Sequence, residues 1–217
     1  MDFSWRQFRD DEWWRKIPLW KDVDYKTFID HKWQDKNAIT NHKKLLKTIQ
    51  ELVNQDFLED AKDGFLKAPM AIRVSPYLLS LMSWETPDTC PIRRQFLPLA
   101  SQLQPDHPML RFDSLNEQKD SPVKGLTHRY QDKVLFLALD TCPVYCRFCT
   151  RAYAVGSSTA TAEKVSIKAS KERWTDIFKY LREHKEVEDV VISGGDAYRL
   201  KASQIKEIGD ELLKIDH

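Results

Sequence analysis

The chain has 217 residues, 41% of them apolar and 31% charged, which supplies a packed core and excludes global disorder. A formal net charge of +1 argues against nucleic acid or an anionic membrane as the main partner, and no apolar run reaches the length of a membrane span. The opening residues, Met1-Asp-Phe-Ser-Trp5, lack the apolar core of a secretion signal, so a cluster of reduced thiols further on points to the cytosol.

Residues 1 to about 105 read as a helical region. Seven tryptophans and ten phenylalanines fall mostly in the N-terminal third, and core packing explains them. Asn41 is placed to cap a helix whose Leu45, Leu46, Ile49, Leu52 and Val53 share one buried face. Ser75-Pro76 starts a short helix through Tyr77, Leu78, Leu81 and Met82, with proline at its first position. Pro87, Pro91 and Pro98 punctuate the stretch after that helix. Cys90, just before a proline, reads as a free packed thiol. Residues 106–133 form a connecting segment, polar and turn-rich up to Pro122.

The pattern then changes. Residues 134–139 are apolar without alternation, as in a strand buried on both faces of a parallel sheet. Ser170 caps a helix with Trp174, Ile177, Phe178 and Leu181 on one side. Residues 187–193 read as a second buried strand, and a last helix carries Ile205, Ile208, Leu212 and Ile215. Strand-helix-strand-helix is the repeat of an α/β sheet or barrel. Two such units cannot close a barrel, so residues 134–217 are expected to be the truncated start of one, in an N-terminal portion of a longer protein.

Chemistry concentrates after the first strand, in Cys142-Pro-Val-Tyr-Cys146-Arg-Phe-Cys149. Three thiolates at C-x3-C-x2-C spacing make a soft pocket suited to an iron-sulfur cluster, zinc or Cu(I). Three ligands are one short of a closed zinc or cubane site, which leaves an open position. Ser193-Gly194-Gly195-Asp196 ends the second strand. Carboxyl ends of parallel strands are where ligands gather, and both motifs lie there. The glycines allow close backbone approach, and Asp196 offers an acceptor for an ammonium group. The six histidines show no metal-ligand spacing, although His128 beside Arg129 is a candidate cofactor contact.

The C-x3-C-x-aromatic-C pattern, with Phe148 at the aromatic position, resembles that of the radical S-adenosylmethionine superfamily. Asp120-Ser-Pro-Val-Lys-Gly-Leu-Thr-His-Arg-Tyr130 and Asp140-Thr-Cys-Pro-Val-Tyr-Cys-Arg-Phe-Cys-Thr-Arg151 narrow the likeness to the lysine 2,3-aminomutase family. Met70-Ala-Ile-Arg-Val-Ser-Pro-Tyr77 and Asp88-Thr-Cys-Pro-Ile-Arg-Arg-Gln95 are similar to that family's upstream region. The resemblance implies an α/β fold: an N-terminal helical region followed by the first two β-α units of a partial radical-SAM (β/α) barrel. It implies a [4Fe-4S] cluster on Cys142, Cys146 and Cys149, and S-adenosyl-L-methionine against Phe148, Ser193, Gly194, Gly195 and Asp196. It further implies pyridoxal 5′-phosphate near Arg129, Tyr130 and Lys133, and a substrate carboxylate on Arg151.

In that family a 5′-deoxyadenosyl radical starts the migration of an amino group from the α- to the β-carbon of an amino acid. The implied partners are a small amino-acid substrate, an external electron donor such as flavodoxin or ferredoxin, and further copies in a full-length homo-oligomer. The family's pyridoxal-phosphate lysine lies beyond residue 217, so no catalytic residue is nominated and the chain alone is expected to be inactive. Lys133 replaces a family arginine, Ala152 and Tyr153 interrupt an arginine run, and Phe148 stands where the lysine enzyme has histidine. These departures open the substrate to amino acids other than lysine. The alternatives are a radical S-adenosylmethionine protein without the pyridoxal function, or a structural iron-sulfur or zinc module.

Overall fold

The computed structural model describes residues 11–217. The reading of Met1 to Trp5, and the first ten residues of the expected helical region, lie outside the described residues. The chain divides into two compact units, one built on residues up to Phe65 with Ile72–Leu103, the other on Leu66–Ala71 with Gln104–His217. No helix among the described residues is long and apolar enough to cross a membrane.

The first unit is helical. Its helices are α1 (Tyr25–Ile29), α2 (His31–Lys36), α3 (His42–Ile49), the start of α4 (Gln55–Lys67), α5 (Pro76–Ser80) and α6 (Pro91–Phe96). Most are too short to hold alone, so caps and packing decide them. Asp24, Asp30, Asn41 and Ser75 each accept a backbone N–H in the first turn of the adjoining helix. The apolar interior joins Trp14, stacked on Phe28 at 4.7 Å, to Leu45, Ile49, Leu79, Leu97 and Leu99. The Asn41 cap and the buried Leu45 and Ile49 are as the spacing predicts. The helix ends at Ile49, however, and Leu52 and Val53 pack from the turn beyond it. In α5 the fully buried residue is Leu79 and Tyr77 is exposed, because one turn after Pro76 leaves only a narrow inward face. Cys90 is a buried free thiol whose sulfur accepts the Ser83 and Arg93 backbone N–H groups.

The second unit is a mixed α/β layer. Its strands are β1 (Leu126–Tyr130), β2 (Lys133–Leu139) and β3 (Asp189–Gly194), in the order β1-β2-β3. Helix α7 (Lys171–Glu183) connects β2 to β3, and α8 (Ala202–Leu212) comes after β3. β2 pairs with β3 in parallel, Val134 opposite Val190 and Leu139 opposite Gly194. It pairs with β1 antiparallel through the two-residue loop Gln131-Asp132.

The segment 106–133, expected to be a connection, contains the strand β1. Its polar residues mask a strand, yet Leu126, Thr127, His128 and Arg129 alternate across a sheet that buries only part of each face. The second strand is also corrected. β3 begins at Asp189, after buried Val187, and Val191 is 49% exposed because β3 is an edge of the described sheet.

One sheet face carries Leu126, Val134, Phe136 and Ala138 and packs on Trp174, Ile177, Phe178 and Leu181 of α7, with Ser170 capping that helix as expected. Ile208 of α8 joins this core, whereas Ile205 is partly exposed and Ile215 falls past the helix end. A small sheet needs an apolar face packed against something, and α7 supplies that cover here. The other face carries Thr127, Arg129, Leu135, Leu137 and Val191. Only Leu135 and Leu137 are covered on that side by an apolar cluster, formed with Tyr153, Ala154 and Ile167.

Candidate functional site

The loop from Asp140 to Gly156 leaves the carboxyl end of β2 and returns to it, the Gly156 N–H donating to the Asp140 carbonyl at 2.9 Å. Gly156 has φ +82°, and the Tyr145 ring lies 3.1 Å from where a Cβ would stand, so a side chain there is strained and crowded. Cys142, Cys146 and Cys149 are all free and partly buried within this loop. Burial, then the neighbouring Cys149, then Asp196 push the Cys142 thiol up to about 11. Burial and Cys149 push Cys146 up in the same direction. Thiols that discourage one another's ionisation form a site that a cation relieves, because metal binding replaces the protons. Phe148 is 65% exposed.

The Gly-Gly-Asp motif lies beside this loop. The Gly195 N–H donates to the Leu139 carbonyl at 2.7 Å, and the Asp196 N–H to the Thr141 carbonyl at 3.0 Å. Gly194 has φ +127°, and a Cβ on it would stand 2.2 Å from the Leu139 oxygen. A Cβ on Gly195 would stand 2.5 Å from the Thr141 oxygen. The close approach that the sequence assigns to a ligand is therefore, in part, the chain's own: both glycines seat β3 against the start of the thiol loop. Asp196 also caps the next turn through the Tyr198 N–H at 3.0 Å, and its charge acts on Cys142.

Arg151 does not stand alone. It donates to Glu117 Oε1 at 3.2 Å, and the Tyr153 hydroxyl donates to Glu117 Oε2 at 2.8 Å. Glu117 is only 4% exposed, and the Arg151 Nε is buried with no hydrogen-bond partner. Burial and Glu117 push Tyr153 well above the usual phenol range. Lys164, pushed down to about 8 by burial, donates to the Ala152 carbonyl in the same loop.

Arg129, Tyr130 and Lys133 line one cavity of about 230 Å3, together with Glu117, Thr127, Leu135 and Val191. Arg129 and Lys133 flank the start of β2 while the thiols lie past its end, roughly 20 Å apart along seven residues of strand. The two cations already hold carboxylates: Arg129 Nε meets Asp120 at 2.7 Å and Lys133 meets Asp132 at 3.1 Å. Arg129 must exchange Asp120 before its fork can take a phosphate or phenolate, so the fit to pyridoxal phosphate is partial. Glu117 lines this cavity and also holds Arg151 of the thiol loop, which makes it the link between the two ends.

Sequence reading missed Glu117 because it lies in a polar turn, the short 3-10 helix Glu117–Asp120, with nothing local to distinguish it. It also missed a cluster joined only in space. Among the described residues, one trio of His, Cys, Asp or Glu side chains brings its ligand atoms within 4.8 Å of one another, and it is His128, His184 and Glu186.

No family model matches the chain. It is 35% identical to the L-lysine 2,3-aminomutase of Bacillus subtilis over 206 residues, 94% of this chain and 41% of that protein. It is 35% identical to the L-lysine 2,3-aminomutase of Clostridium subterminale over 205 residues, 94% of this chain and 46% of that protein. It is 30% identical to the glutamate 2,3-aminomutase of Clostridioides difficile over 190 residues, 87% of this chain and 41% of that protein. The chain thus spans less than half the length of these curated relatives.

Proposed function

The chain belongs by sequence to the lysine 2,3-aminomutase family, and we propose that it forms part of a radical S-adenosylmethionine aminomutase, an isomerase that moves an amino group from the α- to the β-carbon of an amino acid. The observation that carries this reading is the junction of two motifs. The hydrogen bond from Asp196 to Thr141 fixes the Gly-Gly-Asp end of β3 one residue from Cys142. When bound, the cluster, S-adenosylmethionine and pyridoxal phosphate supply radical initiation and delocalisation, with the protein providing binding and orientation.

In this proposal Cys142, Cys146 and Cys149 hold the [4Fe-4S] cluster. Their free, half-buried thiols are the soft donor set that an iron-sulfur cluster takes. Asp196, with Gly194 and Gly195, lies beside the thiol loop and would contact S-adenosylmethionine there. Arg151, held by Glu117, would take the substrate carboxylate. Arg129, Tyr130 and Lys133 form the cavity wall for pyridoxal phosphate, with Asp120 displaced. The partial-barrel reading is likewise proposed here. α-Helices cover one sheet face, and the other carries Thr127, Arg129 and Val191 around the cavity that Glu117 also lines, as the side toward a barrel interior would.

Anaerobic reconstitution with iron and sulfide tests this. The expected result is about four irons and four sulfides per chain, lost when the three cysteines are replaced by serine. Stoichiometric zinc without iron uptake contradicts the proposal and supports a structural metal module.

A further inference from the structure

His128, His184 and Glu186 come from separate elements at the end of the sheet away from the thiol loop. His128 is on β1, His184 caps the C-terminus of α7, and Glu186 lies in the turn leading to β3. Their ligand atoms all fall within 4.8 Å of one another. His184 Nδ1 stands 2.7 Å from Glu186 Oε1, so a hydrogen now bridges the two. The Tyr180 hydroxyl meets His128 Nδ1 at 2.7 Å, and the Tyr180 ring stacks on His184 at 3.8 Å between centroids. The His128 ring meets His184 edge-on at 5.8 Å. Tyr180 therefore sets both imidazole planes, the part that an outer partner plays at a metal centre.

We propose that His128, His184 and Glu186 form a binding site for a divalent transition cation of the zinc class, clamping β1 to the turn between α7 and β3. Two imidazoles and one carboxylate are the donor set such a cation prefers over calcium or magnesium. Three protein ligands leave a fourth position for water. The bridging proton between His184 and Glu186 leaves when the cation binds. Sequence separation hides the trio, since His184 comes 56 positions after His128.

The test uses the full chain with Cys142, Cys146 and Cys149 replaced by serine, which removes thiolate binding, and titrates it with Co2+. The expected result is one equivalent bound, with visible ligand-field absorption, no sulfur charge-transfer band, and displacement by Zn2+. His184→Ala and Glu186→Gln should each weaken binding by more than about tenfold, beyond the loss typical of an outer partner. Glu186 is exposed, so its variant keeps the fold even if a histidine variant does not. Melting temperature should rise with Zn2+ in the serine background and stay flat in Glu186→Gln. Absence of the ligand-field spectrum, or unchanged affinity in a folded Glu186→Gln chain, overturns the site.

Discussion

The Asp196 backbone N–H donates to the Thr141 carbonyl at 3.0 Å, binding the residue after Gly194-Gly195 to the residue before Cys142. The bond forms only because Gly195 has no side chain. A Cβ there would meet the Thr141 oxygen at 2.5 Å and its carbonyl carbon at 2.6 Å. Gly195→Ala should cost about 1–3 kcal/mol of stability, as overpacking does, and should reduce iron uptake by displacing the thiol loop. Urea unfolding beside iron stoichiometry measures both. An unchanged midpoint and full iron loading contradict this account of the motif.

Arg173 ties α7 to the end of β2. Its guanidinium donates to the carbonyls of Leu137 at 2.8 Å, Ala138 at 2.7 Å, Ile167 at 2.9 Å and Lys168 at 3.2 Å. Removing it strands buried carbonyl oxygens just before the thiol loop. Arg173→Ala should destabilise the chain by about 2–4 kcal/mol, and Arg173→Lys should recover only part of that because a point charge replaces a fork. Denaturant midpoints of the two variants decide it.

Glu117 accepts from both Arg151 and Tyr153, so its replacement leaves a mostly buried arginine uncompensated. Glu117→Gln should cost about 1–3 kcal/mol, discounted from a fully buried pair because Arg151 keeps some exposure. Tyr153→Phe should lose about 1 kcal/mol near neutral pH. It should also flatten the alkaline limb. A folded-state value raised above 10.0 contributes stability that is intact below that pH and lost as pH climbs beyond it. Urea midpoints between pH 8 and about 11 check both parts. An alkaline limb as steep in Tyr153→Phe as in the parent chain contradicts the assignment.

Cys142 has the same sign at lower pH. Raised from 9.0 to about 11, its contribution to the metal-free chain is complete below pH 9.0 and lost as pH rises toward 11. The same protonated thiol must ionise to bind metal, so reconstitution should release protons and run faster at higher pH within the stable range. Iron uptake followed at neutral and mildly alkaline pH, with proton release by indicator dye, measures this. Uptake independent of pH contradicts it.

The thiol loop, the Asn41, Ser75 and Ser170 caps, and the α7 core face were legible because each depends on residues close in sequence. β1 was not, since its pairing with β2 is set by a face buried only after the hairpin closes. Glu117 was missed because burial 34 residues before Arg151 gives it its role. The exposure of Val191 likewise reflects β3 being an edge, a property of the sheet and not of the apolar run.

The central claim is that three thiols hold a cluster with one iron open to S-adenosylmethionine. Electron paramagnetic resonance of the reconstituted, reduced chain tests it most directly. The account predicts a cluster signal whose g-values shift when S-adenosylmethionine is added, with the shift weakened in Asp196→Ala. A cluster signal indifferent to S-adenosylmethionine, or no cluster at all, contradicts it.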